Sequence, residues 1–195
     1  MSDYTIPRPA AGDITDLIAD DHRLFESLMR DMRDATADRE AARAAFAALL
    51  IAHSEAEEEI AYPKLKSRKV IAGEEEEHGE KEHAATNEAL LHLLRAKGTD
   101  TQKFQDALEA VAEVLNHHIG EEEQTILNPA REDASEELRQ QLGAGWAARR
   151  NELLEDGAPL GPARHGAGDV QMRGERRTDR LGRPPGRGRP VQQPA

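Results

Sequence analysis

Residues 52–63 read AHSEAEEEIAYP, and residues 117–129 read HHIGEEEQTILNP. Each phrase sets a histidine four residues ahead of a glutamate, His53 with Glu57 and His118 with Glu122, and each closes on a proline, Pro63 or Pro129. Four residues are slightly more than one α-helical turn, so ring and carboxylate point the same way, about 40° apart around the axis and ~6 Å along it. Both pairs continue an apolar stripe. Phe46, Leu49 and Leu50 precede the first pair, and Phe104, Leu108, Val111 and Leu115 precede the second. A buried carboxylate without a partner costs several kcal/mol. Two of them, each beside a histidine, require a strong common partner, and a pair of metal ions between the helices supplies it. Imidazole with carboxylate suits iron, manganese or zinc, and carboxylates bridge two ions.

Outward from these phrases, periodicity and helix breakers mark four long helices. The first spans about residues 13–35, with Asp13 as N-cap candidate and a stripe of Ile18, Phe25, Met29 and Met32 that includes His22. The second spans about 38–66, with a kink or stop near Pro63. The third begins after Gly73 and ends near Gly98, lined by Leu90, Leu91 and Leu94, with His83 on that side. The fourth spans about 100–127. A fifth helix over 135–154 is opened by a capping box of Asp133 and Glu136 and carries the single tryptophan, Trp146, which packs it against the others. Short connections between helices of similar length predict an all-α, antiparallel up-down four-helix bundle with an extra C-terminal helix. Residues 1–12 read as a flexible N-terminus. Residues 157–195, ending GRPPGRGRPVQQPA, read as a Gly/Pro/Arg-rich disordered tail that cannot bury a core.

In this arrangement every helix of the bundle supplies a donor. His22, His53, Glu57, His83, His118 and Glu122 form an N/O set without sulfur, which suits a non-haem dinuclear iron centre. A ferritin-like set needs two Glu-x-x-His helices. Both such pairs here, Glu75 with His78 and Glu80 with His83, fall on one helix, so that geometry fails.

Composition agrees. Of 195 residues, 33% are charged and 3% aromatic, and there is no cysteine, which excludes disulfides, thiolate nucleophiles and iron–sulfur clusters. The net charge is −12, with eight arginines against three acids after residue 160, so the first 160 residues carry about −17. A body so acidic predicts no nucleic-acid partner and no anionic membrane partner. With no apolar leader and no run of transmembrane length, the expected location is cytoplasmic.

The chain resembles the hemerythrin-like, or HHE cation-binding, domains. The resemblance rests on DDHRLFE with His22, HSEAEEEIAYP with His53 and Glu57, EHGEKEHAATNEALL with His83, and NHHIGEEEQTILNPAR with His118 and Glu122. It covers about residues 14–150 and implies an HHE domain over 13–156. It further implies two non-haem iron ions, oxo- or hydroxo-bridged, with the glutamates bridging and the histidines capping. Members bind dioxygen, sense oxygen, redox state or iron, or act on peroxide or nitric oxide. The expected function is binding of dioxygen or sensing through the di-iron centre. The alternative is an enzyme acting on peroxide or nitric oxide, with a metal-free interaction bundle as a third reading. One departure stands out. The family often carries a second histidine one turn after the first on the third helix, and here that position is Asn87. An amide is a poor iron ligand, which leaves one ion an open position and room for peroxide, nitric oxide or redox chemistry. His78 and His117 fall off the ligand register and read as outer or surface groups.

Overall fold

The computed structural model of the chain describes residues 4–156. Its helices are α1 (Ile14–Arg33), α2 (Arg39–Ala56), α3 (Tyr62–Ser67), α4 (Gly73–Arg95), α5 (Gln102–Glu122), α6 (Asn128–Asp133) and α7 (Glu136–Glu155), and no strand occurs among the described residues. Local chemistry opens them. Asp13 accepts the Thr15 N–H at 3.0 Å, Asp38 the Ala41 N–H at 3.1 Å, and Thr101 the Phe104 N–H at 3.2 Å, each satisfying a donor the first helical turn leaves orphaned. The capping box expected from Asp133 and Glu136 is not what opens α7. Ser135 caps it, accepting from Leu138 N, because Asp133 still belongs to α6.

The two prolines do not stop their helices. Between α2 and α3 lies a wide π-helical turn, Glu57–Ala61, and between α5 and α6 another, Glu123–Leu127. Each ends two residues before its proline. Proline lacks an N–H and its ring crowds the carbonyl one turn back. A turn widened to i→i+5, closed by Tyr62 N–H on Glu57 O and Asn128 N–H on Glu123 O, carries the chain past it. The first wide turn begins at Glu57 but the second one residue after Glu122, so the prolines set their positions rather than the glutamates.

α1 packs on α2 and α4 on α5, and α7 lies against α1 and α2. The α1–α2 and α4–α5 loops share one end of the bundle. Arg39 ties them, donating to the carbonyls of Arg33, Asp34 and Thr99. Arg43 donates to Ala96 O at 2.8 Å, satisfying a carbonyl at the end of α4. Two apolar clusters fill the interior. One holds Phe25, Met32, Phe46, Leu50, Leu93, Phe104 and Leu115, and the other Ile18, Ala56, Tyr62, Ile126 and Trp146. Along α1 and α5, His22 and His118 fall between the two clusters. On α4 the buried face runs His83, Thr86, Leu90, Leu93, a three–four spacing. Leu91, expected in that stripe, is one step round the helix and is 37% exposed.

Residues 4–12, expected as a flexible lead-in, lie along the body. Tyr4 and Ile6 pack on the first cluster, and Arg150 and Asn151 donate to Pro7 O and Pro9 O at 3.0 and 2.9 Å. The Gly/Pro/Arg-rich stretch 157–195 lies outside the described residues. No helix among the described residues is long and apolar enough to cross a membrane.

Candidate metal centre

The six residues singled out by spacing, His22, His53, Glu57, His83, His118 and Glu122, are all buried, each at most 3% exposed. Their donor atoms fall into two groups. Those of His22, His53, Glu57 and Glu122 all lie within 4.8 Å of one another, as do those of Glu57, His83 and His118. Glu57 belongs to both groups. Its Oε1 stands 3.0 Å from His53 Nε2 and its Oε2 3.2 Å from His83 Nε2. Glu122 Oε2 stands 3.2 Å from His22 Nε2 and 3.9 Å from His118 Nε2.

The outer nitrogen of every ring is held by a carboxylate. His22 Nδ1 lies 3.3 Å from Glu123, His53 Nδ1 3.2 Å from Asp21, His83 Nδ1 2.8 Å from Glu58, and His118 Nδ1 3.1 Å from Glu82. A carboxylate on Nδ1 fixes that nitrogen as the donor and leaves the Nε2 lone pair for the interior. The result is four Nε2 atoms converging on two carboxylates. His83 Nε2 and His118 Nε2 come within 3.1 Å of each other, tenable only with a cation or proton between them. His22 Nε2, His53 Nε2, Glu57 Oε1 and Glu122 Oε2 are buried and make no hydrogen bond. Four orphaned buried donors of metal-ligand type, facing one space, are what bound cations would satisfy.

Protons compete for the same space. Burial alone would lower His83, but its hydrogen bonds to Glu57 and Glu58 outweigh burial and hold it up to about 10. His22 is likewise held up to about 9 against burial, by Glu122 above all. Burial and the charge on His83 push His118 down to about 3. Burial and the neighbouring Glu122 raise Glu57, whereas Glu122 is lowered despite burial, chiefly by the His22 ring 3.2 Å away.

Several contributors were not apparent in the sequence. Tyr62 is fully buried, donates to Glu122 Oε1 at 2.9 Å, and stacks on His83 with rings 5.8 Å apart. Burial, then Glu122, raises its phenol well above the ordinary range. Gly79 gives that ring its space, since a Cβ there would come 3.0 Å from Tyr62 Cε2. Asp21 is gripped by Arg150 at 2.6 and 2.7 Å, so His53 connects through Asp21 to α7. Trp146 meets His53 edge-on at 5.8 Å. One signal was readable: Leu142, Trp146 and Arg150 recur every four residues, placing an arginine in an apolar stripe. Asn87 is half-buried, whereas His78 and His117 are exposed, beside Glu82 and Glu121.

Fold and site together define a helical-bundle protein with a buried His/Glu cluster of metal-ligand type. The Hemerythrin HHE cation binding domain matches residues 13–130, and the chain belongs to that family. The fold is similar to the crystal structure of a hemerythrin HHE cation binding domain-containing protein, the Rv2633c homolog from Mycobacterium kansasii. The TM-score is 0.65 at 21% identity, covering 74% of this chain and 89% of that one. A protein described as a DNA nickase from Nostoc sp. (strain PCC 7120 / SAG 25.82 / UTEX 2576) is 26% identical over 158 residues. That match takes in 80% of this chain but 43% of the relative, so the chain spans less than half of it.

Proposed function

We propose that the chain binds two non-haem iron ions at this centre and uses them to bind dioxygen or to sense oxygen, redox state or iron. The observation that carries the reading is the set of four imidazoles, each tied at Nδ1 by a carboxylate and presenting Nε2 to a shared pair of buried glutamates. His22, His53 and Glu122 would hold one ion, His83 and His118 the other, and Glu57 both. Iron bound there supplies redox chemistry and a coordination position for a small ligand. The protein's own part is orientation and exclusion of water. Phe25 and Trp146 pack on His53, and Tyr62 occupies Glu122 Oε1, leaving Oε2 to the centre. An apolar surround of this kind limits proton delivery to a bound oxidant.

A second reading, an enzyme acting on peroxide or nitric oxide, draws on the three-donor group of Glu57, His83 and His118, which leaves its ion more open than its neighbour. DNA cleavage, suggested by the Nostoc relative's description, is not carried over. The shared stretch is a minor part of that protein, and a net charge of −12 disfavours a polyanion.

The test is to expose the reduced, iron-loaded protein to dioxygen and then to argon, with peroxide in excess added to a parallel sample. A spectral change that reverses under argon, with peroxide consumed only stoichiometrically, supports carriage or sensing. Steady consumption of peroxide over many turnovers replaces that reading with the enzymatic one.

A further inference from the structure

The sequence contains two more His-x-x-x-Glu pairs that the buried centre does not use, His78 with Glu82 on α4 and His117 with Glu121 on α5. Helix packing brings them face to face beside the centre. His78 Nε2 lies 2.8 Å from Glu121 Oε2 and 3.6 Å from Glu82 Oε1. His117 Nε2 lies 3.5 Å from Glu82 Oε1 and 3.6 Å from Glu121 Oε1. The donor atoms of His78, Glu82 and Glu121 all fall within 4.8 Å of one another.

Hydrogen bonding accounts for one of these contacts, that of His78 with Glu121. The other three are too long for good hydrogen bonds. They match instead the separation of donors around a shared ion, since ligands ~2.1 Å from a tetrahedral metal stand ~3.4 Å apart. Glu82 Oε1 is a buried oxygen with no hydrogen bond, and both imidazoles flank it. His78, Glu82 and Glu121 make the converged donor set, and His117 Nε2, 3.5 Å from Glu82 Oε1, is within reach as a fourth ligand for a borderline divalent ion of the first transition row.

We propose that His78, Glu82, His117 and Glu121 form a second, solvent-facing site for a divalent transition-metal ion, separate from the buried centre. Its ion is bound at the surface, where both histidines are more than half exposed. Glu82 joins the two sites. Its Oε1 faces the outer histidines while its Oε2 takes the Nδ1 of the buried His118 at 3.1 Å. An ion entering or leaving the outer site therefore bears on a ligand of the inner one through a single carboxylate.

The metal-free full-length chain, titrated with Zn²⁺ against a chromophoric chelator, tests the site. The wild type is expected to take up one equivalent more than the His78→Ala/His117→Ala variant. A His53→Ala/Glu57→Ala variant, which lacks buried donors, is expected to keep that equivalent. Equal stoichiometry and affinity in the wild type and the His78→Ala/His117→Ala variant would overturn the proposal. Because those histidines are exposed, that variant keeps the fold, checked by its helical circular dichroism. That comparison is decisive whatever the buried centre binds, so the two sites fail or stand separately.

Discussion

Arg150 has no exposure to solvent, and among the described residues its charge is met by the carboxylate of Asp21. Removing one partner of a buried pair leaves the other charge stranded, at a cost of about 3–5 kcal/mol. Arg150→Ala is expected to lower stability by that order in denaturant titration. Asp21→Asn is expected to weaken metal retention about 10–100-fold, the usual effect of losing the carboxylate behind a ligand histidine, and equilibrium dialysis reads it. That His53, Glu57, His118 and Glu122 face inward was legible, because i,i+4 spacing in an apolar stripe is a local signal. The pairing of Asp21 with Arg150 was not, since their meeting across 129 positions is a product of the fold, although the four-residue spacing placed Arg150 in an apolar stripe. The same centre gives a pH dependence. His22 and His83 are held to about 9 and about 10, above the ordinary 6.5. In the metal-free chain their protons favour the folded state fully below about pH 6.5, and that contribution is lost as pH rises through about 9–10. Metal-free stability should therefore fall between about pH 7 and pH 10, while affinity for metal, which displaces these protons, should rise over the same range. Thermal unfolding with and without metal across that range checks both signs.

The helices were largely readable, with Asp13 as a cap, the fifth helix and the apolar stripes in place apart from Leu91, which turns outward. The prolines were only half readable. Sequence marked a kink or stop near Pro63 and an end before Pro129 but not the wide turns that let the chain continue, because i→i+5 bonding has no residue signature. The fifth helix is also more than an extra layer. Gly143 lies so close to the start of α1 that a Cβ there would stand 1.9 Å from Gly12 O. Nearby, Arg139 bonds Asp13 at 2.6 Å. Backbone cannot give way as a side-chain tip does. Gly143→Ala is accordingly expected to destabilise by at least the ~1–3 kcal/mol of ordinary overpacking, seen as a lower unfolding temperature. Unaltered stability would mean that α7 is not held in this register.

Across the described residues, the buried centre stands between two apolar clusters, whereas the sequence displayed only the helical stripes that build them. What the sequence could not display is how α7, beyond the residues matched to the family, reaches the centre through Trp146 and Arg150. A chain ending at Ala134 should therefore lose stability and retain less metal than the full chain. Metal itself should stabilise the fold, by ~2.7 kcal/mol when free metal is 100-fold above its dissociation constant, and chelation should reverse the gain. The most direct test of the central claim is elemental analysis of protein purified from iron-fed cells, with the absorption spectrum of the same sample, for wild type and Glu57→Ala. About two iron ions per wild-type chain with a charge-transfer band, both lost or halved in the variant, is the predicted result. A folded wild-type chain that takes up no iron under loading, or a Glu57→Ala chain with the full complement, would contradict it.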